Sequence, residues 1–172
     1  MVTSDAAKAA PTARAVAETV TDPELPMLTL ADLGVLREVT ESADGVTVSI
    51  TPTYTGCPAM DTMRDDLVHA LRRAGYERVD VRTVLHPPWT TDWITERGRA
   101  KLAEAGIAPP GPAPRRQAGP VPIRLHPPER RVACPRCGAA DTDAVSEFGP
   151  TACKAVRRCR TCGEPFEHVK EI

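Results

Sequence analysis

Cysteine carries most of the chemical potential of this sequence. Five of the six cysteines lie between residues 134 and 162, and four of those form two knuckles, Cys134-Pro-Arg-Cys137-Gly138 and Cys159-Arg-Thr-Cys162-Gly163. Thiolates three positions apart converge on one ion when the backbone turns tightly, with the following glycine relieving crowding. Two such turns brought together make a closed tetrahedral S₄ site. The spacing predicts a structural four-cysteine zinc ribbon with metal ligands Cys134, Cys137, Cys159 and Cys162. Softness alone does not separate zinc from rubredoxin-like iron, because both accept four thiolates; zinc is the expectation. Arg136, Arg157, Arg158 and Arg160 are expected to offset the charge of the tetrathiolate. Cys153 is left over. It reads first as a buried core cysteine, with a fifth ligand and a surface thiol as the alternatives.

Cys57 stands apart, in "TPTYTGCPAM". A strand ends just before it and a helix is expected from Pro58, which puts the thiol at or beside the helix N-cap. Free amides and the positive end of the helix dipole would lower its pKa and favour metal binding. The competing reading is a cysteine that fills space beneath the sheet. Asp22 and Glu24 flank Pro23 in "TDPEL", where Asp22 reads as a turn acceptor that ends a helix. Trp89 and Trp93, in "HPPWTTDW", are expected to cover the Cys57 site, anchor a partner, or plug the end of the sheet. Phe166, in "GEPFEHVK", reads either as an apolar partner anchor or as a core residue of the ribbon. His86 has no metal-ligand companion at helical spacing, and a Cys57–His86 nucleophilic pair would need proximity that sequence does not show. There is no Gly-rich phosphate loop and no ExxH di-iron motif, so catalysis by this chain alone has little support.

These residues need elements to hold them. "PTARAVAETV" reads as a helix, "GVLREVTES" and "GVTVSITPTY" as two strands, and "PAMDTMRDDLVHALRRAG" as a helix with Met60, Met63, Leu67, Ala70, Leu71 and Ala74 at helical spacing. "RVDVRTVLHPP" reads as a third strand and "TTDWITERGRAKLAEAG" as a last helix. The predicted fold class is α/β, a small three-stranded sheet with packed helices over residues 1–107, then the zinc-ribbon module over 131–172. Between them, residues 108–130 hold eight of the 18 prolines and read as an extended spacer. Arg115, Arg116 and Arg124 of that stretch read as solvated, with contact to an acidic partner as the alternative. The module past it has too few apolar residues for an independent core and needs its metal to fold.

Composition narrows the function. The 22 basic and 23 acidic residues nearly balance, which gives no case for nucleic-acid or membrane steering. Aromatics make up 3%, too few for base-stacking platforms. No apolar run approaches the roughly 18 residues a membrane span needs, and "MVTSDAAKAAPTARAV" lacks the apolar centre of a secretory signal. A cytoplasmic, reducing setting is expected, where CxxC pairs favour metal over structural disulfides.

"DPELPMLTLADLGVLREV", "TPTYTGCPAM" and "VLHPPWTTDWITERGRAKL" occur in the order found in the MIP18 (DUF59) family, which this half resembles. With "CPRCG…SEFGPTACKA…RCRTCGEPFEHVK", the whole chain is similar to the PaaD (PaaJ) family, accessory components of phenylacetyl-CoA oxygenase systems in aerobic phenylacetate breakdown. The resemblance implies a MIP18-like α/β domain and a maturation role rather than catalysis. It implies a transient iron or Fe–S cluster at Cys57, with the Asp22–Glu24 motif orienting a metal or the Cys57 loop. The implied partners are the oxygenase components, above all the iron–sulfur reductase, with a homodimer left open. A non-catalytic scaffold subunit and a Cys57-dependent thiol enzyme are the alternatives.

Overall fold

A computed structural model describes residues 11–114 and 131–172. Arg115, Arg116 and Arg124 lie outside the described residues, as does the rest of the Pro-rich stretch from 115 to 130.

The first unit runs α1 (Ala13–Ala17), β1 (Leu36–Ser42), β2 (Gly45–Ile50), α2 (Met60–Arg73), β3 (Val79–Thr83) and α3 (Glu96–Glu104). Its sheet has the order β1-β2-β3, antiparallel between β1 and β2 and parallel between β2 and β3. A parallel pair needs a crossover, and α2 supplies it. Val46, Val48 and Ile50 are buried on β2, as alternation requires. Met63, Leu67 and Leu71 form the buried face of α2, and Gly75, at φ 99°, ends it in the left-handed region.

Two helices are shorter than the periodicity predicts. The side chain of Thr12 accepts from the amide of Ala15 and starts α1, which stops at Ala17; the amide of Leu30 then bonds the Val20 carbonyl. The expected helix from Thr90 breaks into a 3-10 turn at Thr91–Trp93 and α3. Thr95 makes the break: its hydroxyl accepts from Gly98 at 3.0 Å and begins the helix afresh.

The second unit is an antiparallel sheet, β4 (Thr142–Ser146), β5 (Lys154–Cys159) and β6 (Pro165–Val169). Its buried cluster is small: Ala108, Val132, Cys134, Cys159 and Phe166. So few apolar side chains do not offset the entropy of ordering the chain.

The units are docked on each other. Val169 is buried in the core of the first unit. The amide of Ala108 donates to the Glu167 carbonyl at 2.8 Å, that of Val169 to the Ala108 carbonyl at 3.1 Å, and that of Thr91 to the Ile172 carbonyl at 3.1 Å. Residues 108–114, read from sequence as the start of an extended, semi-rigid spacer, are therefore fixed. The Gly111 amide donates to Glu171 Oε1 at 3.0 Å and the Ala113 amide to Asp92 Oδ1 at 2.9 Å. Proline content predicts extended backbone correctly, yet extended backbone beside β6 finds a strand to pair with.

Candidate functional site

The four knuckle cysteines bring their sulfurs within 4.8 Å of one another. Cys134 and Cys162 are 3.8 Å apart and Cys137 and Cys159 3.6 Å, far beyond a disulfide bond. A tetrahedral ion with metal–sulfur bonds of about 2.3 Å spaces its sulfurs by about 3.8 Å, so the donor set fits zinc or another tetrahedral thiophilic ion. The amides of Cys162 and Thr161 point at the Cys159 sulfur and bring its pKa down to about 7, while burial and the neighbouring sulfurs hold the Cys137 and Cys162 thiols up. Gly138 and Gly163 have φ of 74° and 78°, and a Cβ on either would meet nothing within 4 Å. Glycine is needed here for left-handed backbone, not for the relief of crowding expected from sequence. The arginines also do other work. Arg136 pairs with Glu164 at 3.4 Å, Arg160 with Asp143 at 2.5 Å, and Arg157 donates to the Thr142 carbonyl at 3.1 Å.

The second site lies between the units. Asp22, Glu24, Thr53, Cys57 and Cys153 line a cavity of about 30 Å³ together with Trp89, Val169 and other apolar side chains. Asp22 is buried and its Oδ1 accepts the amides of Glu24 at 2.8 Å and Leu25 at 2.7 Å. The turn that sequence assigns to Asp22 is present, and it brings Glu24 to the cavity wall. Burial pushes the carboxyl pKa values of Asp22 and Glu24 up.

Cys57 is half-buried and two residues short of the helix cap, which is Ala59. The lowered pKa expected of an N-cap thiol does not occur. Burial raises it, the Ala59 amide opposes, and the neighbouring Glu24, Cys153 and Asp22 raise it further. Burial and the nearby carboxylates outweigh the helix end. Cys153 is half-buried too, and its thiol is also raised, first by burial. It is neither a ribbon core residue nor a ligand of the four-sulfur cluster; it lines the cavity with Cys57. Tyr54, not singled out from sequence, has its phenol raised by burial and by the adjacent Cys57. An aromatic three positions before the cysteine is the only signal of it in the sequence.

Trp89 is 5% exposed and its indole donates to the Leu33 carbonyl at 2.9 Å, so it walls the cavity and has no surface to offer a partner. Trp93 is half-buried beneath Arg37, whose guanidinium stacks 3.5 Å from the ring centre. Phe166 is 5% exposed in the ribbon core, the second of its two readings from sequence; the small cluster has no other aromatic to fill it. His86 is exposed.

Sequence reading misses Asp32. Its side chain is fully buried and receives Arg97 at 2.7 Å, Lys101 at 2.8 Å, the Thr95 hydroxyl at 3.3 Å and the Thr29 amide at 3.3 Å. Burial opposes its ionisation, but the hydrogen bonds from Lys101, Arg97 and Thr29 overcome that and hold its pKa at about 2. Asp32 anchors α3 and the Trp93–Thr95 segment, whose Ile94 lines the cavity. A small acid in "ADLG", with its two cations far along the chain, gives no local sequence signal.

Among the described residues no helix is long and apolar enough to cross a membrane. Residues 12–84 match the family described as iron–sulfur cluster assembly protein, and residues 118–170 match the PaaD zinc beta ribbon domain. A protein of Escherichia coli (strain K12), described as a candidate 1,2-phenylacetyl-CoA epoxidase subunit, is 44% identical over 153 residues, 89% of this chain and 87% of the relative. An Fe-S protein maturation auxiliary factor of Porphyromonas gingivalis (strain ATCC BAA-308 / W83) is 35% identical over 86 residues, 49% of this chain and 81% of the relative. Among solved structures, a DUF59 domain from Bacillus anthracis is similar with a TM-score of 0.48 and 26% identity, over 52% of this chain and 87% of that one. With an iron–sulfur assembly part and a PaaD ribbon matched in sequence order, and a relative aligned along nearly the whole length, this chain belongs to the PaaD family.

Proposed function

We propose that this chain is an accessory subunit of a phenylacetyl-CoA epoxidase system that delivers iron, as an ion or a sulfur-bridged cluster, to an oxygenase component. The iron–sulfur reductase is the client best suited to receive it. One observation carries this function: a half-exposed thiol, Cys57, stands beside carboxylates at a small apolar-walled cavity, on the unit that matches iron–sulfur assembly proteins. The relative from Escherichia coli supplies the metabolic context.

Iron in transit is cargo, and the chemistry is ligand exchange without net redox change. The bond from iron to the Cys57 sulfur breaks as a bond to an acceptor thiol of the client forms. The acceptor's proton ends on Cys57. A thiol whose pKa is raised takes that proton readily, so at neutral pH protons compete with iron for Cys57 and the hold is temporary. The four-cysteine site plays a different part. Zinc suits its donor set, and four protein ligands leave no open position for catalysis, so its contribution is to fold the ribbon. The folded ribbon in turn covers the Cys57 cavity through Val169. A reducing cytoplasm suits six free cysteines.

The test is to co-express the oxygenase components with the wild-type chain or its Cys57→Ser variant, then measure iron and acid-labile sulfide in the purified reductase. Depleted reductase from the Cys57→Ser strain is expected. Full cluster content with normal epoxidase activity would instead make the chain a scaffold.

A further inference from the structure

We infer that Cys153 of the ribbon is the second thiol of the cargo site, so that Cys57 and Cys153 together bind one thiophilic divalent ion, with Glu24 as the oxygen ligand. The inference deepens the delivery function and presupposes that Cys57 holds cargo.

Both thiols line the same cavity, although they come from different folding units. Its volume of about 30 Å³ accommodates one ion or one water. Cys153 is held in place by backbone on both sides. The Lys154 amide donates to the Thr151 carbonyl at 3.1 Å, the Lys170 amide to the Cys153 carbonyl at 2.9 Å, and the Thr151 hydroxyl lies 3.1 Å from the sulfur. Asp22 gives its Oδ1 to two amides, whereas neither oxygen of the Glu24 carboxylate makes a hydrogen bond or ion pair among the described residues. Glu24 is therefore the less encumbered of the two carboxylates and the one assigned to the ion. The buried Lys154, paired with Glu167 at 2.8 Å, lies close enough to favour the ionised form of both carboxylates.

Binding balances simply. Two thiols lose their protons to solvent, two metal–sulfur bonds form, and no electron moves. Cys57, Cys153 and Glu24 do not all lie within 4.8 Å of one another, as the ribbon sulfurs do. Loading must therefore draw the Cys57 loop inward. Gly56, at φ 86° with open space around it, gives that loop freedom to move. Two soft sulfurs and one oxygen select Fe²⁺, Co²⁺ or Zn²⁺ over Mg²⁺ or Ca²⁺. Because one thiol rides on the ribbon, undocking the ribbon removes half the sulfur ligation. Release is thereby coupled to separation of the two units.

Co²⁺ is the probe. The full chain, its ribbon already filled with zinc, is titrated anaerobically while the thiolate-to-cobalt charge-transfer band is followed. Zinc content is checked throughout, so that ribbon exchange is not counted. The wild type should take one Co²⁺ with a band intensity of two thiolates. Cys57→Ser and Cys153→Ser should each halve the intensity per bound ion and weaken binding on the order of tenfold to a hundredfold or more. Glu24→Gln should weaken binding and leave the band unchanged. Cys153→Ala is the backup if the serine variant loses its zinc. Unchanged affinity and band in both Cys153 variants, with loss in Cys57→Ser, would overturn the inference and leave the delivery function standing. Indifference of Co²⁺ uptake to both cysteines would overturn the two together.

Discussion

Replacing Asp32 by asparagine keeps the side-chain size, removes the charge and turns one acceptor oxygen into an NH₂ group that faces donors. In the folded protein the carboxyl sits at about 2, against an ordinary 3.8. At about 1.4 kcal/mol per pH unit, that difference gives about 2.5 kcal/mol of stability at neutral pH. The side chain is fully buried, while Arg97 and Lys101 are 67% and 34% exposed. The variant strands no buried cation, but its NH₂ lacks an acceptor, so it should lose at least this amount. A depressed pKa contributes stability that is fully present above the unfolded value and is lost as pH falls through the folded one. The gap between wild type and Asp32→Asn should thus be full at neutral pH and shrink below about pH 4 toward pH 2. Urea unfolding followed by tryptophan fluorescence is the assay, because Trp89 and Trp93 both belong to the unit that Asp32 anchors. The expected shift in midpoint is on the order of 1 M urea at neutral pH. A variant that unfolds with the wild type at neutral pH, or a gap that widens on acidification, would refute the assignment.

Three further outcomes follow from the geometry. Gly34→Ala should destabilise the chain by on the order of 3 kcal/mol in the same assay, since its Cβ would meet the Trp93 Cβ at 2.6 Å on backbone at φ 70°. Chelating the ribbon metal should lower the urea midpoint reported by Trp89 and Trp93, although neither belongs to the ribbon, because Val169 is lost from their core; an unchanged midpoint would mean the units are energetically independent. Alkylation of Cys57 should be slower at neutral pH in the folded chain than in urea and should rise at higher pH than for the unfolded thiol, as mass spectrometry of the zinc-loaded protein will report.

Legibility in the sequence follows the range of the interaction. Val46, Val48 and Ile50 announce a strand, and Met63, Leu67 and Leu71 a helix, because a period of two or of 3.6 is written in neighbouring residues. Two CxxC pairs, each followed by glycine, announce four convergent sulfurs for the same reason. The Cys57 site is legible only in part. Its Asp22 turn is local, but the partner thiol Cys153 and the covering residue Val169 come from the far unit, and no periodicity links them to Cys57. The pKa of Cys57 escapes sequence on the same grounds: the nearby helix end is visible there, whereas the burial and the carboxylates that outweigh it are made by folding. Asp32 is the extreme case, a short acid whose cations lie across the fold on α3.

Iron transfer between purified proteins tests the central claim most directly. The full chain, zinc-filled at the ribbon and loaded anaerobically with radioactive ferrous iron, is mixed with iron-free reductase, and the two are separated and counted. Iron should move to the reductase from the wild-type chain, while the Cys57→Ser chain, carried through the same loading, should deliver none above the rate of free ferrous iron. Equal delivery by both chains would contradict a cargo role for Cys57.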